Sequence, residues 1–144
     1  MTDSALAILL DTCAAIWLVH DGPLGAPARR AIVDAGRATG VFVSPVTAWE
    51  IGFLTYPAKG APRLQFLPDP KTWFANLMAM PAIRAAAFDG DIAIEAAMLP
   101  GDFHRDPADR LLVATARLLD LTIVTSDAKI LAYAAAGHVR AIAC

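Results

Sequence analysis

Along the chain, apolar positions fall into short unbroken runs, separated by longer segments in which they recur every three or four residues. The first run, Ala5 to Leu10, holds Ile8, Leu9 and Leu10 in succession, the continuity expected of a strand buried on both faces. From Thr12 to His20 the pattern turns helical, with Ala14, Ala15, Trp17 and Leu18, and a Gly and Pro turn follows over Asp21 to Pro27. Ala28 to Ala38 predicts a helix with Arg29, Arg30, Asp34 and Arg37 on its wet faces, stopped near Gly40. Val41 to Val43 is a second short strand. Ser44 and Pro45 then pair a cap with a first helical residue and open a helix to about Tyr56.

Pro57 to Pro70 holds four prolines and a glycine and reads as an irregular excursion around a short extended piece at Leu64 to Leu67. Asp69 and Pro70 open a helix through Met78 or Met80, Ile83 to Phe88 predicts a strand, and Asp91 to Met98 a helix. Asp106 and Pro107 repeat the cap signature for a helix ending near Asp120. Leu121 to Val124 is a β-branched strand followed directly by Thr125, Ser126 and Asp127. A helix stopping at Gly137 precedes a last strand at Val139 to Ala143. Strands alternating with connections of helix length imply parallel pairing with right-handed crossovers, hence a three-layer α/β/α sandwich with a central parallel sheet.

The 144 residues suit one domain, residues 1–144. Hydrophobic residues make up 57% and charged residues 18%, an apolar balance that predicts surface buried against a partner as well as against itself. The longest apolar stretch, Ala5 to Val19, is broken by Asp11 and too short to cross a bilayer, and Met1 to Ser4 lacks the basic residues of a secretory signal, so a cytoplasmic location is expected. Cys13 and Cys144 have no metal-type spacing and read as thiols. A formal net charge of −2 argues against nonspecific coating of nucleic acid. No GxGxxG or P-loop fingerprint follows any strand.

What the pattern does offer is acids in unusual places. Asp11 and Asp127 stand at carboxyl ends of strands, where sites form in parallel sheets, while Asp106, Asp109 and Glu50 lie near helix starts opening on the same side. Asp109 shares a helical face with Leu112, Val113 and Ala116, and Glu50 shares one with Val46, Phe53 and Leu54, so neither sits on a plainly wet face. Each has an ordinary alternative: Asp11, Asp106 and Asp127 as helix caps, Glu50 as a snorkelling or paired side chain. Packed together, such carboxylates repel by more than about 1 kcal/mol per pair at an effective dielectric of about 20, which calls for a cation or for protonation. All-oxygen ligation favours Mg²⁺ or Mn²⁺, and no Cys and His set supports zinc.

These blocks resemble the PIN-domain nucleases, and among them the VapC-type ribonuclease toxins of bacterial toxin–antitoxin pairs. The resemblance is carried by Leu9 to Thr12, by Ser44 to Ile51, by His104 to Ala116, which reads HRDPADRLLVATA, and by Val124 to Asp127. It implies a metal-dependent endoribonuclease whose acidic quartet is Asp11, Glu50, Asp109 and Asp127, with Asp106 an extra acid of one branch and a possible ligand. Ala108 departs from the Phe more usual in that branch. Mg²⁺, or Mn²⁺, would be held by Asp11 and Asp109, with Glu50 and Asp127 directly or through water. Arg105, Arg110, Thr125 and Ser126 are candidate RNA contacts, with Arg29, Arg30, Lys59 and Arg63 further candidates; solvated charge is the default reading of the six basic residues, and turn capping explains Thr125 and Ser126 equally well. His104 reads as a local hydrogen-bond partner ahead of a general acid.

Trp17, Trp49 and Phe53 have the spacing of core residues, which outweighs base stacking. Ala14, Trp17 and Leu18, with Trp49, Phe53 and Tyr56, also offer more bulk than one sheet face covers, and part of it is expected at an interface. The resemblance further implies a cognate antitoxin that lays a helix into an apolar groove, and self-association into a dimer. An antitoxin arginine among the acids would compete with the cation. Two other classes remain for comparison. A non-catalytic PIN-like scaffold has no use for the acids. A receiver-like phospho-acceptor needs a second acid beside Asp11, where Thr12 and Cys13 stand.

Overall fold

The computed structural model describes residues 6–144; Ala5, the first residue of the expected opening strand, and the Met1 to Ser4 leader lie outside them. Five strands form one sheet: β1 (Ile8–Leu10), β2 (Val41–Val43), β3 (Ile83–Ala85), β4 (Thr122–Thr125) and β5 (Ala141–Ala143). Every pairing is parallel, in the order β3-β2-β1-β4-β5. The helices are α1 (Thr12–Val19), α2 (Ala26–Arg37), α3 (Pro45–Thr55), α4 (Pro70–Met78), α5 (Gly90–Ala97), α6 (Pro107–Leu118) and α7 (Ala128–Ala135).

The expected α/β/α sandwich is what forms, and the two-residue period of the strands explains how. Ile8 and Leu10 of β1 face one apolar cluster and Leu9 faces the other, and none of the three is exposed. The first cluster packs Leu9 and Ile123 against Leu112, Val113, Ile130 and Tyr133 from α6 and α7. Across the sheet, Ile8, Leu10, Val41 and Val43 meet Ala14, Ala28, Trp73 and Leu77 from α1, α2 and α4. Burial on both faces is why these strands read as apolar runs rather than alternating ones.

The chain runs outward from β1 to β3, then returns to lay β4 on the other side of β1. That reversal makes the β1–β4 junction a topological switch point, where the crossovers diverge and leave a crevice beyond the strand ends. Asp11 follows β1 and Asp127 follows β4, so both stand at that crevice.

Some boundaries differ from the sequence expectation. The edge strand β3 stops at Ala85 instead of Phe88, because the amide of Ala86 makes the last bond to the Val43 carbonyl and Asp89 then caps α5. α2 begins at Ala26 with Pro27 in its first turn, where a missing amide costs nothing. β5 is limited to Ala141–Ala143, Val139 being buried ahead of it. Leu64 to Leu67 forms no strand, its one ladder-like contact being the Leu64 amide on the Leu54 carbonyl at 3.0 Å. Cys13 and Cys144 are free thiols. No helix among the described residues is long and apolar enough to cross a membrane.

Candidate metal centre

At the switch point each acid is placed by ordinary local structure. Asp11 caps α1, its Oδ1 accepting the Ala14 amide at 2.8 Å. Its Oδ2 accepts the hydroxyl of Thr125, a fully buried residue whose oxygen also accepts the Asp127 amide at 3.0 Å. One threonine therefore ties the end of β4 to the acid that ends β1. Asp11 is only 6% exposed. Burial pushes its carboxyl above the usual range, the Thr125 and Ala14 donors pull it back, and Asp127 adds repulsion.

Glu50 reaches the crevice from α3, which Ser44 starts by accepting the Val46 amide at 3.0 Å with Pro45 next. The Thr12 hydroxyl donates to Glu50 Oε1, and the Thr12 and Thr47 hydroxyls lie 3.2 Å apart. Burial again raises the carboxyl most; the Thr12 donor opposes it, while Asp106, Asp11 and Asp127 reinforce it.

The N-terminus of α6 supplies the outer acids. Asp106 caps it, accepting the Asp109 amide at 3.0 Å, with Pro107 as the first helical residue. Asp109 is half-buried and is pushed up to about 7, by burial first and then by Asp106, Asp127, Glu50 and Asp11. His104 Nε2 lies 3.0 Å from Asp109 Oδ2. The imidazole nitrogen is buried and has no aligned hydrogen bond, so this contact is proximity of charge and dipole rather than a directed bond. On the other side of the ring, Nδ1 accepts the Asp106 amide at 3.3 Å. Asp127 caps α7 through one oxygen, Oδ1, which accepts the Lys129 and Ile130 amides at 2.7 and 3.2 Å. His104, Asp109 and Asp127 can each bring a ligand atom within 4.8 Å of the others.

The cap reading and the cluster reading of Asp11, Asp106 and Asp127 are compatible: each cap engages one carboxylate oxygen, and the second, among the described residues, is without a hydrogen bond in Asp106 and Asp127 and accepts the Thr125 hydroxyl in Asp11. Among the described residues no lysine or arginine makes an ion pair with any of the five acids. An oxygen-rich set with uncompensated negative charge and one imidazole at its rim fits a hard divalent cation.

Other expected contacts fall differently. Arg105 and Ser126 are exposed beside the acids, whereas Thr125 is buried and engaged with Asp11. The Arg110 guanidinium is directed to the carbonyls of Ala96, Phe103 and His104 at 2.8, 3.0 and 3.1 Å, bracing the turn that carries His104. Arg29 is spent in the same way on the Leu24 carbonyl, at 2.9 Å. Arg30, Lys59 and Arg63 are exposed.

The core expectation is overturned for Trp49 and Phe53, which are 47% and 58% exposed; only Trp17 packs against the core. Of the residues expected to offer more bulk than the core covers, Ala14 is fully buried and Trp17 and Leu18 are partly buried against the core, whereas Trp49, Phe53 and Tyr56 are exposed. Sequence reasoning missed Thr12 and Thr47 as the hydroxyls supporting Glu50. The adjacency of Thr12 to Asp11 and the three-residue spacing of Thr47 from Glu50 were the available signals.

Comparison with known proteins agrees with this fold. No curated protein matches the chain in sequence. In fold, the chain is similar to VapBC2 from Rickettsia felis, solved with a DNA fragment from its promoter, with a TM-score of 0.68 at 10% identity over 96% of this chain and 98% of that one. DNA-bound VapBC from Salmonella typhimurium gives 0.64 at 17% identity over 96% and 98%. FitAcB from Neisseria gonorrhoeae gives 0.55 at 20% over 94% and 96%. The sequence pattern of the PIN domain matches residues 8–136, from β1 to the end of α7, and the chain belongs to the PIN domain family.

Proposed function

We propose that the chain is a metal-dependent endoribonuclease and the toxin of a toxin–antitoxin pair, hydrolysing RNA phosphodiester bonds in the cytoplasm. The observation that carries this reading is the gathering of Asp11, Glu50, Asp106, Asp109 and Asp127 about the β1–β4 crevice, with His104 beside Asp109 and, among the described residues, no lysine or arginine ion-paired to any of the five. Mg²⁺ or Mn²⁺, if bound there, would lower the pKa of water and supply positive charge for the phosphate. Asp11 and Asp109 are its proposed holders, with Glu50 and Asp127 directly or through water, and Asp106 as a further possible ligand.

The rest of the work belongs to the chain's own groups. Thr125 and the Ala14 amide fix the Asp11 carboxylate, and Thr12 fixes Glu50, so these oxygens are oriented before substrate arrives. Arg105, exposed next to Asp106 in the chain, is the proposed contact for a flanking phosphate, and Ser126, exposed next to Asp127, the proposed hydroxyl. Arg110 and Thr125 support the site from behind.

The partner reading draws support from the structural relatives, which are VapBC and FitAcB assemblies. A groove of about 530 Å³ between α1 and α4, where Val19, Leu67, Leu77 and Met80 stand with His20, Gln65 and Asn76, is the proposed seat of an antitoxin helix. A basic antitoxin side chain among the acids, competing with the cation, would make inhibition weaken as Mg²⁺ rises. Self-association into a dimer belongs to the same reading.

Incubating the purified chain with structured RNA in Mg²⁺ or in EDTA tests it. Cleavage in Mg²⁺, abolished by EDTA and by Asp109→Asn, is expected. Intact RNA under every divalent cation would overturn the enzymatic reading and leave a PIN-like binding module.

A further inference from the structure

Beside Glu50, α3 carries aromatic side chains that the core does not use. Trp49 and Phe53, one turn apart, pack edge to face with ring centres 5.3 Å apart and planes at 69°. Just past the helix, Tyr56 is 67% exposed, with the Arg63 guanidinium 5.3 Å over its ring. Trp49 and Phe53 line a cleft of about 420 Å³ whose wall also includes Glu50, Asp106 and Pro107. The aromatic track and the acidic crevice are therefore continuous, since Glu50 and Asp106 belong to both.

The mixture of groups selects the occupant. A purely apolar partner helix would bury Glu50 and Asp106 within its footprint, whereas the centres of protein interfaces are depleted of such charges. A single-stranded nucleotide chain matches both halves: its bases stack on flat rings, and its phosphates lie toward a guanidinium and toward carboxylates that a cation neutralises. A duplex matches less well because its bases are already stacked.

We propose that Trp49 and Phe53, continued by Tyr56 and Arg63, form a base-stacking subsite for an unpaired nucleotide flanking the phosphate to be cut. The inference rests on the nuclease reading above and adds a requirement for unpaired RNA at the site.

The test is binding of a fluorescein-labelled single-stranded oligoribonucleotide, followed by anisotropy with Ca²⁺ in place of Mg²⁺. Trp49→Leu and Phe53→Leu should each weaken binding by about 5- to 100-fold, while Trp49→Phe, which keeps a ring, should stay much closer to wild type. Binding of the duplex of the same sequence should be indifferent to all three changes. Because these positions are exposed, melting temperatures should hold and confirm folding. Leucine variants that bind the single strand as tightly as wild type, while the wild type cleaves RNA in Mg²⁺, would overturn the subsite alone. In that case, loss of self-association in sedimentation would assign the face to a second copy. A wild type that neither binds nor cleaves RNA overturns the nuclease reading and the subsite with it.

Discussion

The inner and outer halves of the acidic crevice handle the same charge by different means. On the inner side, Asp11 and Glu50 are the more deeply placed carboxylates, yet hydroxyls and a backbone amide donate to them, and those donors offset part of the burial that raises both groups. On the outer side, Asp109 faces four other acids and an imidazole with no aligned bond, and it is pushed up to about 7. The difference separates preparation from need. The inner half is oriented in advance by protein donors, whereas Asp109 in the outer half has no donor to offset its burial and its acidic neighbours, and a bound cation would supply that offset.

The sharpest way to break this contrast is to neutralise one acid in each half. Both Asp11→Asn and Asp109→Asn should lower Mg²⁺-dependent RNA cleavage by at least about 100-fold. Their melting temperatures without metal should diverge at pH 8. Asp109→Asn removes repulsion and should melt roughly 3 °C or more above wild type, while Asp11→Asn turns an amide group toward one of two donors and should melt lower. Shifts of the same sign in a metal-free melting scan would erase the distinction.

Thr125→Val probes the inner half without touching an acid. Valine keeps the shape but loses the hydroxyl that donates to Asp11 and accepts from the Asp127 amide. Mg²⁺ affinity by calorimetry should fall about 10-fold, and stability by about 1–3 kcal/mol.

The outer half should declare itself in the pH dependence of stability. Asp109 titrates near 3.8 when free and near 7 when folded, so its contribution is fully present below about pH 4 and is lost as pH rises to about 7. In EDTA the melting temperature should therefore decline between pH 5 and pH 8, and added Mg²⁺ should raise it more at pH 8, where the ligand is already ionised. A metal effect larger at pH 5 would contradict the assignment.

Asp106→Ala should have the smallest effect. Loss of the α6 cap should cost about 1 kcal/mol, with a smaller loss of cleavage than Asp109→Ala. Equal losses of cleavage without a change in unfolding midpoint would make Asp106 a direct cation ligand rather than a cap.

Much of this was legible in the linear chain because it depends on neighbours. Apolar runs flanked by helical periods specify a parallel α/β arrangement, and Ser44–Pro45, Asp69–Pro70 and Asp106–Pro107 mark helix starts through contacts within three residues. Acids directly after apolar strands point to the carboxyl edge of the sheet by the same local logic. The tertiary structure decided what depends on distant pairing. The Thr125 hydroxyl meets Asp11 across 114 residues and Thr12 meets Glu50 across 38, contacts that no periodicity encodes. Arg110 resembles a phosphate ligand until the 103–104 turn folds back onto it. α3 is apolar nearly all round, so its pattern does not say which face is inward. Only the packing of Val46 and Ile51 into the cores turns Trp49 and Phe53 out beside the acids.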